Sequence, residues 1–256
     1  MQFTRAIVRR PSSNFSKGLT TSSLGPPDPE LALRQHAAYC AALGDCGMDV
    51  VELPADPRHP DATFVEDTAV LTARGAILTR PGAPSRLGEI EAIREVLISL
   101  FGDVATIEPP GTLDGGDVCQ AEEHFFIGVS HRTNSAGARQ LADWLIGHGY
   151  TVSIVDLRGT SLLHLKSGLS YLGQMRFLVA ENLRDLPCFR QFERLRVPRG
   201  EQYAANCVAI NGRLLVPRGF AEVERVLRDR DLALVALDMS EFRKMDGGVS
   251  CLSLRM

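Results

Sequence analysis

What the chain lacks narrows its class first. None of its six cysteines (Cys40, Cys46, Cys119, Cys188, Cys207, Cys251) forms a C-x-x-C pair, so neither a structural zinc ribbon nor a thioredoxin-type redox pair has support in the sequence. The six are scattered and read as reduced thiols. A net excess of either charge is nearly absent: 28 Lys and Arg stand against 31 Asp and Glu, a formal balance of −3, which gives no electrostatic reason to bind a phosphate backbone. Nor is there a long apolar run. The first twenty residues carry Arg5, Arg9, Arg10 and Lys17 with no hydrophobic stretch between them, so neither a secretion signal nor a membrane span is expected and a cytoplasmic location is.

What is present is an ordinary globular composition, 45% hydrophobic and 23% charged, with 23 Gly and 14 Pro in 256 residues. No linker or charge run splits it, and residues 1–256 read as one domain. Short β-type runs recur at Phe3 to Val8, Met48 to Leu53, Thr63 to Val65, Ala76 to Thr79, Val118 to Ala121, Phe125 to Gly128, Val152 to Val155, Phe177 to Val179, Cys207 to Ile210, Leu214 to Val216 and Ala233 to Leu237. Helical spacing places Ile90, Ile93, Val96, Leu97 and Leu100 on one face, and Phe220, Val223, Val226 and Leu227 on another. A further helix opens near Asn134 or Ser135 and stops before Gly149, and another runs from Glu30 to Leu43. Strands outnumber helices too heavily for a doubly wound parallel sheet. Polar or unusual residues at strand ends, Asp67, Asp117, His164, Asn206 and Cys251, recur at spacings of 50, 47, 42 and 45, a period that suits a propeller-like repeat. The Ser, Thr, Gly and Pro-rich stretch from Pro11 to Pro27 reads as a mobile flap.

Several residue groups carry chemistry. Cys251 lies in DGGVSCLSL, where Gly247 and Gly248 permit a close backbone approach beside a reactive group, although most intracellular cysteines are small core hydrophobes. His164, in LLHLKSGLSYL, is flanked by apolar residues that would tune its basicity; the other histidines, His36 among them, read as solvated or capping groups. Asp61, Glu66 and Asp67 lie in HPDATFVED, and alternation along a strand sends the last two to opposite faces. Asp114 and Asp117 flank two glycines in LDGGD, where the sharp turn lets Asp114 reach inward or simply forms an Asx turn. Arg86 and Arg132 stand near helix N-termini, where a cation opposes the macrodipole; a bound carboxylate would account for them, as would extension into water.

Taken together, HPDATFVED, LTRPGAPSR, PPGTLDGGD, IGVSHRTN, LHLKSGLSYL, YAANC and KMDGGVSC closely resemble the dimethylarginine dimethylaminohydrolases (dimethylargininases) of the guanidino-group-modifying pentein superfamily, in order and from Arg5 to Leu254. The resemblance implies a five-bladed α/β propeller of ββαβ units with its site in the central channel. It implies Cys251 as nucleophile, His164 as general acid and base, and Asp114 as the carboxylate that orients His164. Glu66 and Asp67 match residues that hold the guanidinium, Arg86 and Arg132 those that bind the α-carboxylate, and Asp61 with the Leu19 carbonyl those that meet the α-amino group. Met245 aligns with a backbone contact, and Pro11 to Pro27 with a lid loop.

The expected reaction is hydrolysis of Nω-methylated arginines (asymmetric dimethylarginine or monomethylarginine) to citrulline and dimethylamine or methylamine through a thiouronium on Cys251. No cofactor is required and no metal is expected as a resident group. Zinc could bind opportunistically at Cys251 and inhibit, and the partner is a small-molecule substrate, with a monomer or homodimer and no nucleic acid or membrane. A sister reaction (arginine deiminase, citrulline hydrolase or amidinotransferase) and a non-enzymatic binding protein on the same propeller are the alternatives.

Overall fold

A computed structural model describes residues 2–256. The first strand, β1 (Arg5–Arg9), is followed by helix α1 (Pro29–Asp45) and by β2 (Asp49–Leu53), which returns parallel to β1. Four units of a hairpin and a parallel third strand follow. They are β3 (Ala69–Thr72), β4 (Gly75–Leu78) and β5 (Ala105–Thr106); β6 (Val118–Ala121), β7 (His124–Val129) and β8 (Thr151–Asp156); β9 (Leu169–Gly173), β10 (Arg176–Val179) and β11 (Glu193–Arg196); β12 (Val208–Ile210), β13 (Arg213–Pro217) and β14 (Ala233–Leu237). The last strand, β15 (Leu254–Arg255), pairs antiparallel with β1 through Ala6 to Arg255 and Ile7 to Leu254. The C-terminal strand thus completes the sheet that the N-terminal one began, and five three-stranded sheets form a five-bladed α/β propeller.

Helices α2 (Ile90–Phe101), α3 (Ser135–Gly147) and α4 (Ala221–Arg228) make the crossovers to β5, β8 and β14. Their apolar faces are those the periodicity marks: Ile93 and Leu97 are fully buried, as are Leu141 and Leu145. Asn134 caps α3, its side chain accepting the Gly137 N–H at 2.8 Å. The fourth blade departs from ββαβ: its crossover has no α-helix, only a 3-10 turn over Pro187–Phe189. Pro187 lacks an N–H and favours a short turn there. A four-residue helix, α5 (Ser240–Arg243), lies beyond the periodic segments.

The repeat that the sequence shows as lone polar residues is a structural one. Short 3-10 turns, Val65–Thr68, Gly115–Asp117, Leu165–Ser167, Gln202–Ala205 and Ser250–Leu252, lead into β3, β6, β9, β12 and β15, the innermost strands of the blades. Thr63 to Val65, expected as a strand, lies at the entrance to the first of these turns, and the strand begins at Ala69. The expectation failed because Thr and Val favour strands only where a ladder partner is present. Turn packs on turn around the axis, and Asn206 joins the fourth to the fifth by accepting the Ser250 N–H at 2.8 Å and donating to Ser250 Oγ at 2.9 Å.

The Pro11 to Pro27 segment is tied down at several points. Phe15 is fully buried, its ring 5.8 Å from Phe64 and 5.5 Å from Phe242 between centroids. Farther on, the Leu19 N–H donates to Asp61 at 3.0 Å and the Thr20 hydroxyl to the Lys244 carbonyl at 2.9 Å.

Ring closure by β15 carries a testable consequence. Leu254 packs in a core with Ile7, Val65, Leu78 and Ile93. Leu254→Ala is expected to lower unfolding stability by about 2–4 kcal/mol, the usual penalty for emptying a leucine site. The midpoint of a urea titration checks this, and a loss below about 1 kcal/mol would show that the closing strand is not held by this side chain.

Candidate active site

A 3-10 turn sends successive side chains in directions about 120° apart, so neighbouring residues of one turn reach different ends of the channel. At one end a pocket of about 220 Å³ is lined by Leu19, Asp61, Asp67, Arg86, Arg132, His164, Met245 and Cys251 among others. At the other, a cavity of about 650 Å³ takes Glu66, Lys166, Ser250 and Arg255. Between them lies an ionic plug: the Glu66 carboxylate accepts from Lys166 Nζ at 2.7 Å, Arg255 Nη2 at 3.0 Å and Ser250 Oγ at 2.6 Å.

Glu66 is therefore not in the pocket where the resemblance put it. Its carboxylate faces away and is held by three donors, while Asp67, the next residue of the same 3-10 turn, faces the pocket.

His164 is buried and caps the turn before β9. Its Nδ1 lies 3.3 Å from Asp117 Oδ2, and its Nε2 lies 3.9 Å from Asp114 Oδ2. The carboxylate at hydrogen-bonding distance is thus Asp117, not Asp114. Asp117 ends the turn that begins after Asp114, and it is itself fixed by Ser130 Oγ and Thr133 Oγ1, both at 2.7 Å, and by the Leu165 N–H at 3.0 Å. Asp114 accepts the Gly82 N–H at 2.7 Å, and its buried Oδ2 has no hydrogen-bond partner. Asp117 stands in the sequence as a repeat position and as the second aspartate of LDGGD, and its place at the end of that turn is what brings it to His164.

These carboxylates set the charge state. Burial alone would strip the imidazole of its proton, but Asp117, then Asp67 and Asp114, outweigh it and push the His164 pKa up to about 9. Asp67 is also desolvated, yet Arg86 and His164 hold it down to about 2. Burial, and then the charge of Asp67, raise Asp114 above the usual carboxylate range. The Cys251 thiol lies above a free cysteine: burial, then Glu66 and Asp67, push it up to about 12. Both shifts favour an imidazolium beside a protonated thiol in the empty pocket. The Gly248 N–H donates to Cys251 Sγ at 3.2 Å.

The two arginines differ. Arg86 is buried and engaged, with Nη1 on Asp67 at 2.7 Å, Nη2 on Glu89 at 2.8 Å and Nη2 on the Phe64 carbonyl at 3.2 Å. The carboxylates that explain its place near a helix start are thus the protein's own. Arg132 is half-buried with Nη1 enclosed and unpartnered, so this is the guanidinium with a free donor. Asp61 is buried and bonded to the Leu19 N–H, and burial raises its pKa. Leu19 and Met245 form part of the pocket wall.

The paired glycines of both motifs, Gly115 with Gly116 and Gly247 with Gly248, leave no room for a Cβ. A Cβ on Gly116 would come within 2.9 Å of the His164 ring and 3.0 Å of Asp67, and one on Gly248 would sit 2.5 Å from the Asn206 side chain. Of the groups that could hold a metal, Asp67, Asp114 and His164 lie mutually close, but Asp67 is already paired with Arg86 and the Gly116 N–H. Cys251 belongs to no such group of three among the described residues.

Comparison with known proteins places this arrangement. The chain is 44% identical over 254 residues to N(G),N(G)-dimethylarginine dimethylaminohydrolase of Pseudomonas aeruginosa, with 99% of each chain covered. The chain belongs to the dimethylarginine dimethylaminohydrolases. The enzyme of that name from Streptomyces coelicolor is 36% identical over 98% of this chain and 96% of its own. Among solved structures, a cysteine-to-serine mutant of the Pseudomonas protein complexed with citrulline superposes with a TM-score of 0.98 over the whole of both chains at 44% identity. The N-terminal domain of a cyanobacterial arginine dihydrolase, 17% identical with a TM-score of 0.86 over 100% of this chain and 97% of its own, shares the fold. No family model matches the sequence.

Asp117 gives a direct test of the site's electrostatics. Asp117→Asn removes the nearest of the charges that raise the imidazole, so the His164 pKa, read by NMR titration, is expected to fall well below about 9. Turnover at neutral pH should fall by about 100-fold or more, within the range that a proton-transfer group contributes. An unshifted titration would mean that Asp117 serves only to hold the turn.

Proposed function

We propose that this chain, acting as one catalytic domain, hydrolyses Nω-methylated arginines to citrulline and dimethylamine or methylamine, with Cys251 as nucleophile. The observation that carries the reading is Cys251, a charged His164 and the carboxylate of Asp67 around one small pocket, in a chain of this family. A guanidinium carbon is a poor electrophile because its charge is delocalised, and a soft thiolate together with a carboxylate that fixes the cation suits it.

The substrate cation enters beside Asp67 and lowers the thiol pKa, so Cys251 loses its proton to solvent as the complex forms. The thiolate adds to the central carbon. The bond from that carbon to the methylated nitrogen then breaks, and His164 gives its proton to the departing amine. A thiouronium remains on Cys251. His164, now neutral, takes a proton from water as the oxygen adds to the same carbon; the carbon–sulfur bond then breaks while the remaining hydroxyl proton leaves to solvent, releasing citrulline and the thiolate. Asp117 and Asp114 hold the imidazolium in both half-reactions, in the manner of the third member of a triad. No cofactor enters any step.

Arg132, with its free Nη1, is the group we assign to the α-carboxylate; Arg86 acts chiefly by fixing Asp67. Asp61 and the Leu19 backbone lie where an α-amino group would be met, and Met245 closes the wall. Among the described residues no helix is long and apolar enough to cross a membrane, and we place the reaction in the cytoplasm.

Citrulline release from asymmetric dimethylarginine, monomethylarginine and arginine, measured side by side, tests the reading. Methylated substrates are expected to turn over far faster than arginine, and Cys251→Ser to abolish turnover. Preference for arginine would make this a deiminase, and activity surviving Cys251→Ser would overturn the mechanism. Arg132→Ala should act mainly on KM, weakening binding by about 1.5–3 kcal/mol, the worth of a charge-assisted hydrogen bond. A fall confined to kcat would remove Arg132 from the carboxylate site.

A further inference from the structure

The outer face of the first blade carries a second cluster of donors that the reaction does not use. His36 and Cys40 stand four residues apart on α1, which puts both side chains on one face, and Glu52 reaches them from the adjacent strand β2. His36 Nδ1 lies 3.6 Å from Cys40 Sγ and 3.9 Å from Glu52 Oε2, and Cys40 Sγ lies 4.0 Å from the same oxygen. From metal–ligand bonds of about 2.0–2.1 Å to nitrogen and oxygen and about 2.3 Å to sulfur, a tetrahedral zinc site requires ligand separations of about 3.3–3.5 Å. The triangle already present is within a few tenths of an ångström to about half an ångström of that, and the exposed Glu52 side chain can supply the contraction.

Further features distinguish the cluster from chance proximity. His36 is 2% exposed, with Nδ1 turned to Cys40 and Glu52 and the backbone of Arg9 as a further polar neighbour of the ring. The sequence reading of His36 as a solvated or capping residue is therefore wrong: the third-turn position on α1 faces the sheet. None of the three residues lines the catalytic pocket or the opposite cavity. The exposed Arg10 nearby opposes a cation held by charge alone. That selects against hard, oxygen-seeking ions and leaves a metal that bonds to thiolate and imidazole.

We propose that His36, Cys40 and Glu52 form a zinc site that ties α1 to β2, with water from the exposed side as fourth ligand. The thiol proton leaves to solvent as the metal–sulfur bond forms.

Cobalt(II), which reports thiolate ligation by a charge-transfer band, is the probe, and the Cys251→Ser full-length protein is the host, so that the nucleophile does not compete. One equivalent of cobalt with a thiolate band is expected, displaced by zinc. Adding Cys40→Ser should abolish the band and weaken zinc binding by more than about 100-fold, beyond what changes outside the ligand shell produce. Because Cys40 is only half-buried and Glu52 is exposed, Cys40→Ser and Glu52→Gln are preferred to changes at the buried His36, with circular dichroism confirming that each folds. Glu52→Gln should weaken binding without removing the band. Absence of a band in the Cys251→Ser host, or a band that survives Cys40→Ser, would overturn the assignment.

Discussion

His164 keeps a proton in a place where burial alone would remove it, and much of the centre of this molecule follows from that constraint. Three carboxylates, Asp117, Asp67 and Asp114, stand around the ring and are themselves desolvated. Each needs compensation. Asp117 takes two hydroxyls and a backbone N–H, Asp67 takes Arg86 and the Gly116 N–H, and Arg86 in turn takes Glu89. The network is high-stakes because any member left alone would be an unpaired buried charge, a loss of about 3–5 kcal/mol.

The propeller supplies the means of gathering these groups. Residues as distant in sequence as Asp67, Asp117, His164 and Cys251 occupy equivalent short turns, so a symmetric ring brings a varied set of side chains to one axis. The 3-10 geometry of the turns then separates chemistry from structure: Asp67 and Cys251 face the small pocket, while Glu66 and Ser250 join Lys166 and Arg255 in the plug beside the larger cavity. Gly116 and Gly248 are where this crowding leaves no room for a Cβ.

Much of this was legible in the sequence, unevenly. The amphipathic helices, the Asn134 cap and most strands followed from periodicity and capping chemistry, because those signals are local. The blade period showed through one residue per turn. Strands β3, β5, β9, β11 and β15 have no counterpart in the expected runs because each owes its state to its pairing partner; β15 is two residues long and pairs with β1 across the whole chain. The resemblance put Glu66 and Asp67 together at the guanidinium, whereas the 3-10 turn that holds them sends the two side chains to different sides. Asp117 was passed over beside Asp114 because no local pattern tells which of two aspartates a turn sends to a histidine 47 residues later.

The central claim is that the thiol stays protonated until a cation enters next to Asp67. It is tested most directly by comparing the rates at which cationic 2-chloroacetamidine and neutral iodoacetamide alkylate Cys251 across pH. With the thiol pushed up to about 12 in the empty pocket, iodoacetamide is expected to react slowly at neutral pH and to accelerate as pH rises. The amidine, which carries its own charge to Asp67, should react far faster at neutral pH and over a lower pH range. Equal rates with one shared pH dependence near that of an ordinary cysteine would contradict the account.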